Sequence, residues 1–134
     1  MLYLETEINM KKVISTKDAP AAIGPYSQAI LSNDTLYCSG QIAIAPETGD
    51  LVTDNITNET TQVMENIEAI LKDAKMNFSN VVKCSIFMKS MQDYNKINMV
   101  YSQYFKKTPP AREAVQVSCL PKNVNVEISV IAVR

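Results

Sequence analysis

The fold is decided near the carboxyl end of the chain, where residues 124–133 have the sequence VNVEISVIAV. Apolar side chains occupy nearly all of this stretch on both faces, and Glu127 and Ser129 interrupt them. A strand that is apolar on both faces is typical of the interior of a covered sheet. Residues 124–133 are therefore predicted to form a central strand. A carboxylate inside such a strand is rare without a partner or a chemical role.

The preceding segments supply further strands and two helices. Period-two alternation and short apolar runs predict strands at residues 13–14, 27–31, 35–39, 41–45, 81–89 and 114–120. Spacings of three and four residues between apolar side chains predict helices at residues 56–76 and 92–107. Asn55 or Thr57 can cap the first helix, and Asn77 is predicted to end it in a left-handed conformation. Pro109-Pro110 is predicted to end the second helix.

This order of elements predicts an α+β fold, a mixed sheet of about six strands with two helices packed on one face. Residues 121–123 are predicted to join the last two strands as a hairpin. Alternation also leaves apolar side chains on the face that the helices do not cover. Such a face favours burial against another subunit, so we expect a homo-oligomer.

Composition bounds the function classes. The 134 residues make one domain, predicted at 10–134, preceded by a flexible extension at residues 1–9. Thirteen basic and fourteen acidic residues give a net charge of −1, which favours neither nucleic acid nor a membrane surface as partner. Histidine is absent, and with it the usual general base and the commonest metal ligand. The three cysteines are widely spaced in apolar runs, which predicts buried, reduced thiols in a cytoplasmic protein.

Two charged residues are candidates for a site. Arg112 opens a predicted strand after Pro109-Pro110-Ala111, and its planar guanidinium suits a carboxylate. A surface or interface ion pair is the alternative for an isolated arginine. Glu127 could exchange protons near neutral pH if burial raises its pKa, or it could pair with Arg112 or with a neighbouring subunit.

Four other positions carry weaker signals. Gly24 and Gly40 stand at strand junctions, where a glycine permits either a bend or a close approach of the backbone to a ligand. Tyr26 and Asn98, taken singly, are typical of a core tyrosine and a capping or solvated asparagine. The aromatic stripe of the second predicted helix is typical of core packing.

Several motifs in order resemble the signatures of the Rid family, also called YjgF, the reactive intermediate deaminases. They cover nearly everything from about Lys11 onward. The motifs are AAIGPYSQA at 21–29, CSGQI at 38–42, YNKINMVY at 94–101, PAR at 110–112, LPK at 120–122, VEI at 126–128 and IAV at 131–133.

The resemblance implies a trimer of chorismate-mutase-like subunits with clefts between neighbours. Its deaminating branch hydrolyses enamines and imines, among them 2-aminoacrylate, 2-iminopropanoate and 2-iminobutanoate, to 2-keto acids and ammonia, without metal or cofactor. Carried over by motif, Arg112 binds the substrate carboxylate and Glu127 positions or activates water. Tyr26 and Asn98 line the cleft, and Ser39 and Gly40 offer backbone contacts.

The sequence departs from the family pattern at Ala114, where many relatives carry a cysteine, so a thiol-dependent mechanism is not expected. Two alternatives to deamination remain open. One is a non-catalytic trimer that binds a keto acid or an amino acid and serves regulation. The other is an endoribonuclease or translation inhibitor, against which the net charge and the absence of a basic stripe argue.

Overall fold

Six strands form one mixed sheet in the computed structural model, which describes residues 11–134. The predicted extension at residues 1–9 lies outside the described residues. The strands are β1 (Lys11–Ile14), β2 (Ala29–Ser32), β3 (Thr35–Gln41), β4 (Val81–Met88), β5 (Ala111–Gln116) and β6 (Val126–Val133). Their order across the sheet is β1-β2-β3-β6-β4-β5, and every neighbouring pair is antiparallel except β4 and β5. The predicted α+β class is confirmed.

Two helices, α1 (Ile56–Asp73) and α2 (Tyr94–Ser102), pack on one face of this sheet. Asn55 caps α1, because its side chain accepts a hydrogen bond from the N–H of Asn58 at 2.8 Å. The inner face of α1 is wholly buried and carries Val63, Met64, Ile67, Ile70 and Leu71. Burial of each such side chain stabilises the fold by about 1.5–3 kcal/mol. None of the helices among residues 11–134 is long and apolar enough to cross a membrane.

The strand β6 lies between β3 and β4, so the prediction of a central strand is confirmed. Its even-numbered side chains are buried beneath the helices, and its odd-numbered ones point to the other side of the sheet. We call that other side the open face. Apolar side chains on the open face include Val13, Tyr37, Val115 and Val133, which are 58, 52, 42 and 38% exposed. The sequence predicts an oligomer from apolar side chains on the uncovered face of the sheet, and the structure places such side chains there.

The predicted hairpin between the last two strands is wrong. The strand β5 pairs in parallel with β4 at the sheet edge, whereas β6 pairs with β4 on its other side and with β3. The interior position gives β6 backbone partners along both edges. Residues Pro121–Asn123 form a 3₁₀ helix in the connection from β5 to β6, where Lys122 and Asn123 have φ of 55° and 56°. The edge strand also runs earlier than the predicted 114–120, over Ala111–Gln116.

The predicted strand at 41–45 does not form. Beyond Gln41, only Ile44 makes an isolated bridge, to Leu51. The carbonyls of Ile42 and Ile44 instead accept hydrogen bonds from the buried Asn66 side chain of α1, at 3.1 and 3.0 Å. A side chain thus satisfies backbone groups that a strand partner would otherwise pair.

Both helices are shorter than predicted. After α1 the left-handed residue is Lys75, at φ 59°, and not Asn77, which is extended and caps the 3₁₀ helix Phe78–Asn80. The helix α2 follows a 3₁₀ turn at Met91–Asp93 and ends at Ser102, before the prolines. Beyond it, Tyr104 and Phe105 pack on Phe78, with ring centroids 5.0 and 5.4 Å apart.

Candidate functional site

Glu127 lies on the open face of β6, opposite Phe87 of β4. Its carboxylate stands against Gly40 so closely that a Cβ at that glycine would be 2.8 Å from Glu127 Cδ and Oε2. The glycine therefore makes room for the carboxylate, at the register shift between Cys38 and Gln41 in the ladder of β3 with β6. Partial burial raises the pKa of the Glu127 carboxyl above its ordinary value.

A small cavity of about 70 Å³ brings three of the predicted site residues together: Tyr26, Gly40 and Glu127. The Tyr26 side chain is 48% exposed, and its hydroxyl accepts a hydrogen bond from the N–H of Ile23 at 3.3 Å. It is therefore not the core tyrosine that its residue type alone suggested. This arrangement joins the loop before β2 to the beginning of β6.

Ser39 adjoins this cavity through Gly40 but is engaged within the subunit. Its N–H donates to the carbonyl of Gln28 at 2.9 Å, and its hydroxyl donates to the carbonyl of Ser27 at 2.6 Å. These bonds fix the loop that carries Tyr26 against β3. Ser39 thus braces the site, and Gly40 is the member of the pair that faces Glu127.

Arg112 is held from the other side of the sheet by α2. Its Nη1 donates to Asn98 Oδ1 at 2.8 Å, and its Nη2 donates to the Tyr94 hydroxyl at 3.0 Å. The guanidinium carbon also lies 5.7 and 4.9 Å from the ring centroids of Tyr94 and Tyr101. The Asn98 side chain is therefore a hydrogen-bond partner of Arg112 and not a solvated asparagine. Together these contacts fix the guanidinium in one orientation.

The contact of Tyr94 with Arg112 was not predicted from the sequence, because the helical spacing of Tyr94 among apolar neighbours indicated core packing. The hydrogen bond with Asn98 and the positive charge of Arg112 lower the pKa of its phenol. Its position four residues before Asn98 was the available signal, since residues four apart share one helix face.

The cysteines divide into two kinds. Cys38 and Cys84 are buried, but Cys119 is exposed, so its predicted burial is wrong. Burial raises the pKa of the Cys38 thiol to about 12 and also raises that of Cys84, which lies near Arg112 and Tyr101. Both buried groups are therefore neutral thiols at neutral pH, and neither is poised as a nucleophile.

Glu113, next to the arginine, points to the open face. It pairs with Lys83 at 2.7 Å and accepts a hydrogen bond from the Ser85 hydroxyl. The hydrogen bonds from Lys83 and Ser85 lower the pKa of its carboxyl. Glu113 is thus occupied by neighbours on β4 and does not contact the guanidinium of Arg112.

Arg112 and Glu127 lie on opposite faces of the sheet. Arg112 is paired with Cys84 of β4, whose side chain is buried under the helices, and Glu127 is paired with Phe87. Positions 84 and 87 differ by an odd number of residues, so their side chains leave the strand on opposite sides. The alternative that Glu127 pairs with Arg112 is therefore excluded within one subunit.

Comparison with known proteins agrees with the motifs. Residues 16–134 match the family described as endoribonuclease L-PSP. The chain belongs to this family. Its resemblance to Rid proteins is confirmed as well. A similar structure is that of YyfA from Yersinia pestis, a protein of unknown function that is described as a member of the conserved Rid protein family. That structure has a TM-score of 0.90 and 51% identity, over 92% of this chain and 99% of the other.

Two further relatives in the L-PSP family bear on chemistry. A human protein named 2-iminobutanoate/2-iminopropanoate deaminase is 46% identical over 93% of this chain and 91% of its own length. The structure of E. coli TdcF with bound serine has a TM-score of 0.88 and 38% identity, over 92% of this chain and 98% of that one. Homologues named imino-acid deaminases support an enzyme of this general kind.

This L-PSP family member shows no grouping of three or more cysteine or acidic side chains that could hold a metal ion within residues 11–134. The polar groups of the candidate site are divided between the two faces of the sheet: a fixed guanidinium and the Tyr94 phenol on the helix face, and a carboxylate of raised pKa on the open face. Such a set can hold a carboxylate and transfer a proton, which are the needs of an acid–base reaction on a small organic acid.

Proposed function

We propose that the protein hydrolyses small 2-imino acids and their enamine tautomers, including 2-aminoacrylate, 2-iminopropanoate and 2-iminobutanoate, to 2-keto acids and ammonia. The observation that carries the proposal is the division of the site between two faces of the sheet. Arg112 on one face is suited to bind a carboxylate. On the other face, Glu127 with Tyr26 and Gly40 is suited to hold the reacting carbon and its water.

The two halves meet when subunits associate. A homotrimer that covers the apolar open face would place Glu127 of one subunit beside Arg112 of the next, in a cleft between them. Burial of Val13, Tyr37 and Val133 would drive this association. These exposed apolar side chains share one face, and soluble monomers rarely expose large apolar patches. Three equivalent clefts would follow from threefold symmetry.

Arg112 serves as the carboxylate clamp in this proposal. Each terminal nitrogen of the guanidinium already gives one hydrogen to Asn98 or Tyr94, which leaves a second hydrogen on each nitrogen. A bidentate bond to the substrate carboxylate would fix the imine carbon relative to a water molecule held by Glu127.

Glu127 serves as the proton carrier. The imine is protonated at nitrogen, water adds to its carbon, and the Glu127 carboxylate takes a proton from that water to give a carbinolamine. The same carboxyl then returns the proton to the nitrogen. As the C–N bond breaks, the Glu127 carboxylate takes the hydroxyl proton, which gives the keto acid, and the departing ammonia removes that proton as ammonium. Burial raises the pKa of the Glu127 carboxyl towards neutral pH, which favours both directions of proton transfer.

The test is a coupled assay in which threonine dehydratase generates the imines from threonine or serine. We expect the wild-type protein to accelerate keto-acid formation and Arg112→Ala to abolish the acceleration. Acceleration that survives in Arg112→Ala would keep the enzyme and discard the clamp. Absence of acceleration by a folded wild-type oligomer would favour the alternative of a non-catalytic trimer that binds a keto acid or an amino acid.

The endoribonuclease alternative has its own measurement, because the family description carries that name. The net charge of −1 argues against RNA binding, because it gives the protein no overall electrostatic attraction to phosphates. We expect no cleavage of a fluorescent RNA and no salt-sensitive RNA binding by the same preparation. Cleavage that is lost in Arg112→Ala or Glu127→Gln would overturn this expectation.

A further inference from the structure

Glu59 is a completely buried carboxylate in the first turn of α1. Its Oε2 accepts hydrogen bonds from the backbone N–H groups of Asn125 and Val126, at 2.7 and 3.2 Å. Its Oε1 accepts one from the Asn125 side-chain amide at 2.7 Å. A carboxylate is rarely buried unless bonds of this kind replace its hydrogen bonds to water. The three bonds therefore account for the burial of Glu59, and we ask what a carboxylate does at this position.

The three bonds converge on the residues that immediately precede Glu127. The carbonyl of Asn125 is held at the same time by the N–H of Lys89, at 3.0 Å. Asn125 is therefore fixed on one side by α1 and on the other by the chain that leaves β4. The peptide that enters β6 has its orientation set before the strand ladder begins.

That orientation decides where Glu127 points. Val126 is fully buried among the core side chains, and Glu127, next in the strand, must leave on the open face. Gly40 leaves the carboxylate little freedom, since the backbone there stands so close that even an added Cβ would collide with it. A rotation of the peptide at 125–126 would move the carboxylate relative to that wall.

We propose that Glu59 is a positioning residue for Glu127, acting through the backbone of Asn125 and Val126. This inference rests on the proposed function. Catalytic groups displaced by about 1 Å can lose as much as ~100-fold in rate, so a buried clamp two residues away is enough to control turnover. Glu59 touches neither substrate nor water in this account.

Two conservative variants separate geometry from charge. Glu59→Gln keeps the length of the side chain: its amide oxygen can accept the two backbone bonds, while Asn125 turns its own amide to accept from the new NH₂. Glu59→Asp keeps the charge but withdraws the carboxylate by about one C–C bond, ~1.5 Å, from both donors. Glu65→Gln, at an exposed position of the same helix, is the matched control.

We expect Glu59→Asp to lower kcat by about 10-fold to 100-fold with little change in KM, because substrate binding through Arg112 is untouched. Glu59→Gln and Glu65→Gln should keep nearly the wild-type kcat. Equal losses in Glu59→Gln and Glu59→Asp would overturn a geometric role. An unchanged kcat in Glu59→Asp, with only a lowered melting temperature, would make Glu59 merely structural.

A second readout does not depend on turnover. The pKa of the Glu127 carboxyl, measured by ¹³C NMR titration, should change in Glu59→Asp and stay at the wild-type value in Glu59→Gln. An unaltered Glu127 pKa in Glu59→Asp would overturn the inference. If wild-type protein shows no deaminase activity, the proposed function fails, and the NMR result still decides whether Glu59 sets the environment of Glu127.

Discussion

At the scale of single residues, the environment of Glu127 governs the chemistry that we propose. Its carboxyl has a raised pKa because partial burial disfavours the charged form. Glu127→Gln should therefore lower kcat by about 10²–10⁴-fold and remove the acid limb of the pH–rate profile. In wild-type protein that limb should lie above the ordinary range of a glutamate, since activity requires the carboxylate form.

The same substitution should change stability in a direction opposite to activity. A carboxyl whose pKa is raised on folding contributes least to stability above its folded pKa and most below its unfolded value of about 4.3. Glu127→Gln should thus melt at a higher temperature than wild type at pH 7, and this advantage should shrink as the pH falls from above the raised folded pKa to about 4. A constant difference across that range would contradict the assigned burial effect.

Tyr94 supplies a second test at this scale. Tyr94→Phe removes one of the two oxygen atoms that hold the Arg112 guanidinium. We expect KM for the imine to rise about 3-fold to 10-fold, in keeping with the loss of one hydrogen bond, while kcat changes less. Tyr104→Phe, which removes a hydroxyl from the aromatic cluster around Phe78, is the control and should leave both constants unchanged.

The candidate residues differ in how far the sequence could predict them. Glu127 stood out because a carboxylate interrupted an apolar strand, and the motifs singled out Arg112. Tyr94 did not, since a phenol with helical spacing looks the same whether its hydroxyl meets solvent or a guanidinium. The opposite faces of Arg112 and Glu127 also required the pairing register of β4, β5 and β6, which no local pattern contains.

At the scale of elements, the end of α1 shows why boundaries were harder to predict than helices. The N–H of Lys75 bonds the carbonyl of Lys72 at 2.9 Å, and the N–H of Met76 bonds that of Leu71 at 2.8 Å. This left-handed cap commonly carries glycine, and here it carries a lysine, so the sequence placed the stop at Asn77 instead.

The cap can be improved by substitution. Lys75→Gly should raise the free energy of unfolding by about 0.5–1 kcal/mol, because glycine adopts positive φ without strain from a Cβ. Lys72→Gly, three residues earlier in regular helix, should lower it by about 1 kcal/mol. Urea denaturation measures both, and a destabilising effect of Lys75→Gly would contradict the cap.

The mistaken hairpin has a similar origin. Alternation identified the two last strands, yet it carried no information on which partner each would choose. The apolar character of β6 pointed correctly to the centre of the sheet, and a strand there needs neighbours on both sides. Those neighbours are β3 and β4, so β5 is left at the edge, parallel to β4.

At the scale of the whole molecule, the proposed function requires that subunits associate through the open face. Tyr37 lies on that face opposite Ile131 and is 52% exposed. Tyr37→Lys would bury a charge in any interface formed there, so we expect dissociation to monomers and loss of activity together. Glu65→Lys, on the outer side of α1, should alter neither. Native mass by light scattering reads the first effect, and a stable Tyr37→Lys oligomer would contradict the assigned interface.

The most direct test of the shared site mixes two inactive variants. Arg112→Ala and Glu127→Gln subunits are unfolded together, refolded as mixed oligomers and assayed for imine hydrolysis. If each site takes its arginine from one subunit and its glutamate from the next, about a quarter of the sites in a random one-to-one trimer carry both residues. We therefore predict activity near a quarter of wild type from two preparations that are inactive alone. No recovery in verified mixed trimers would contradict the site between subunits.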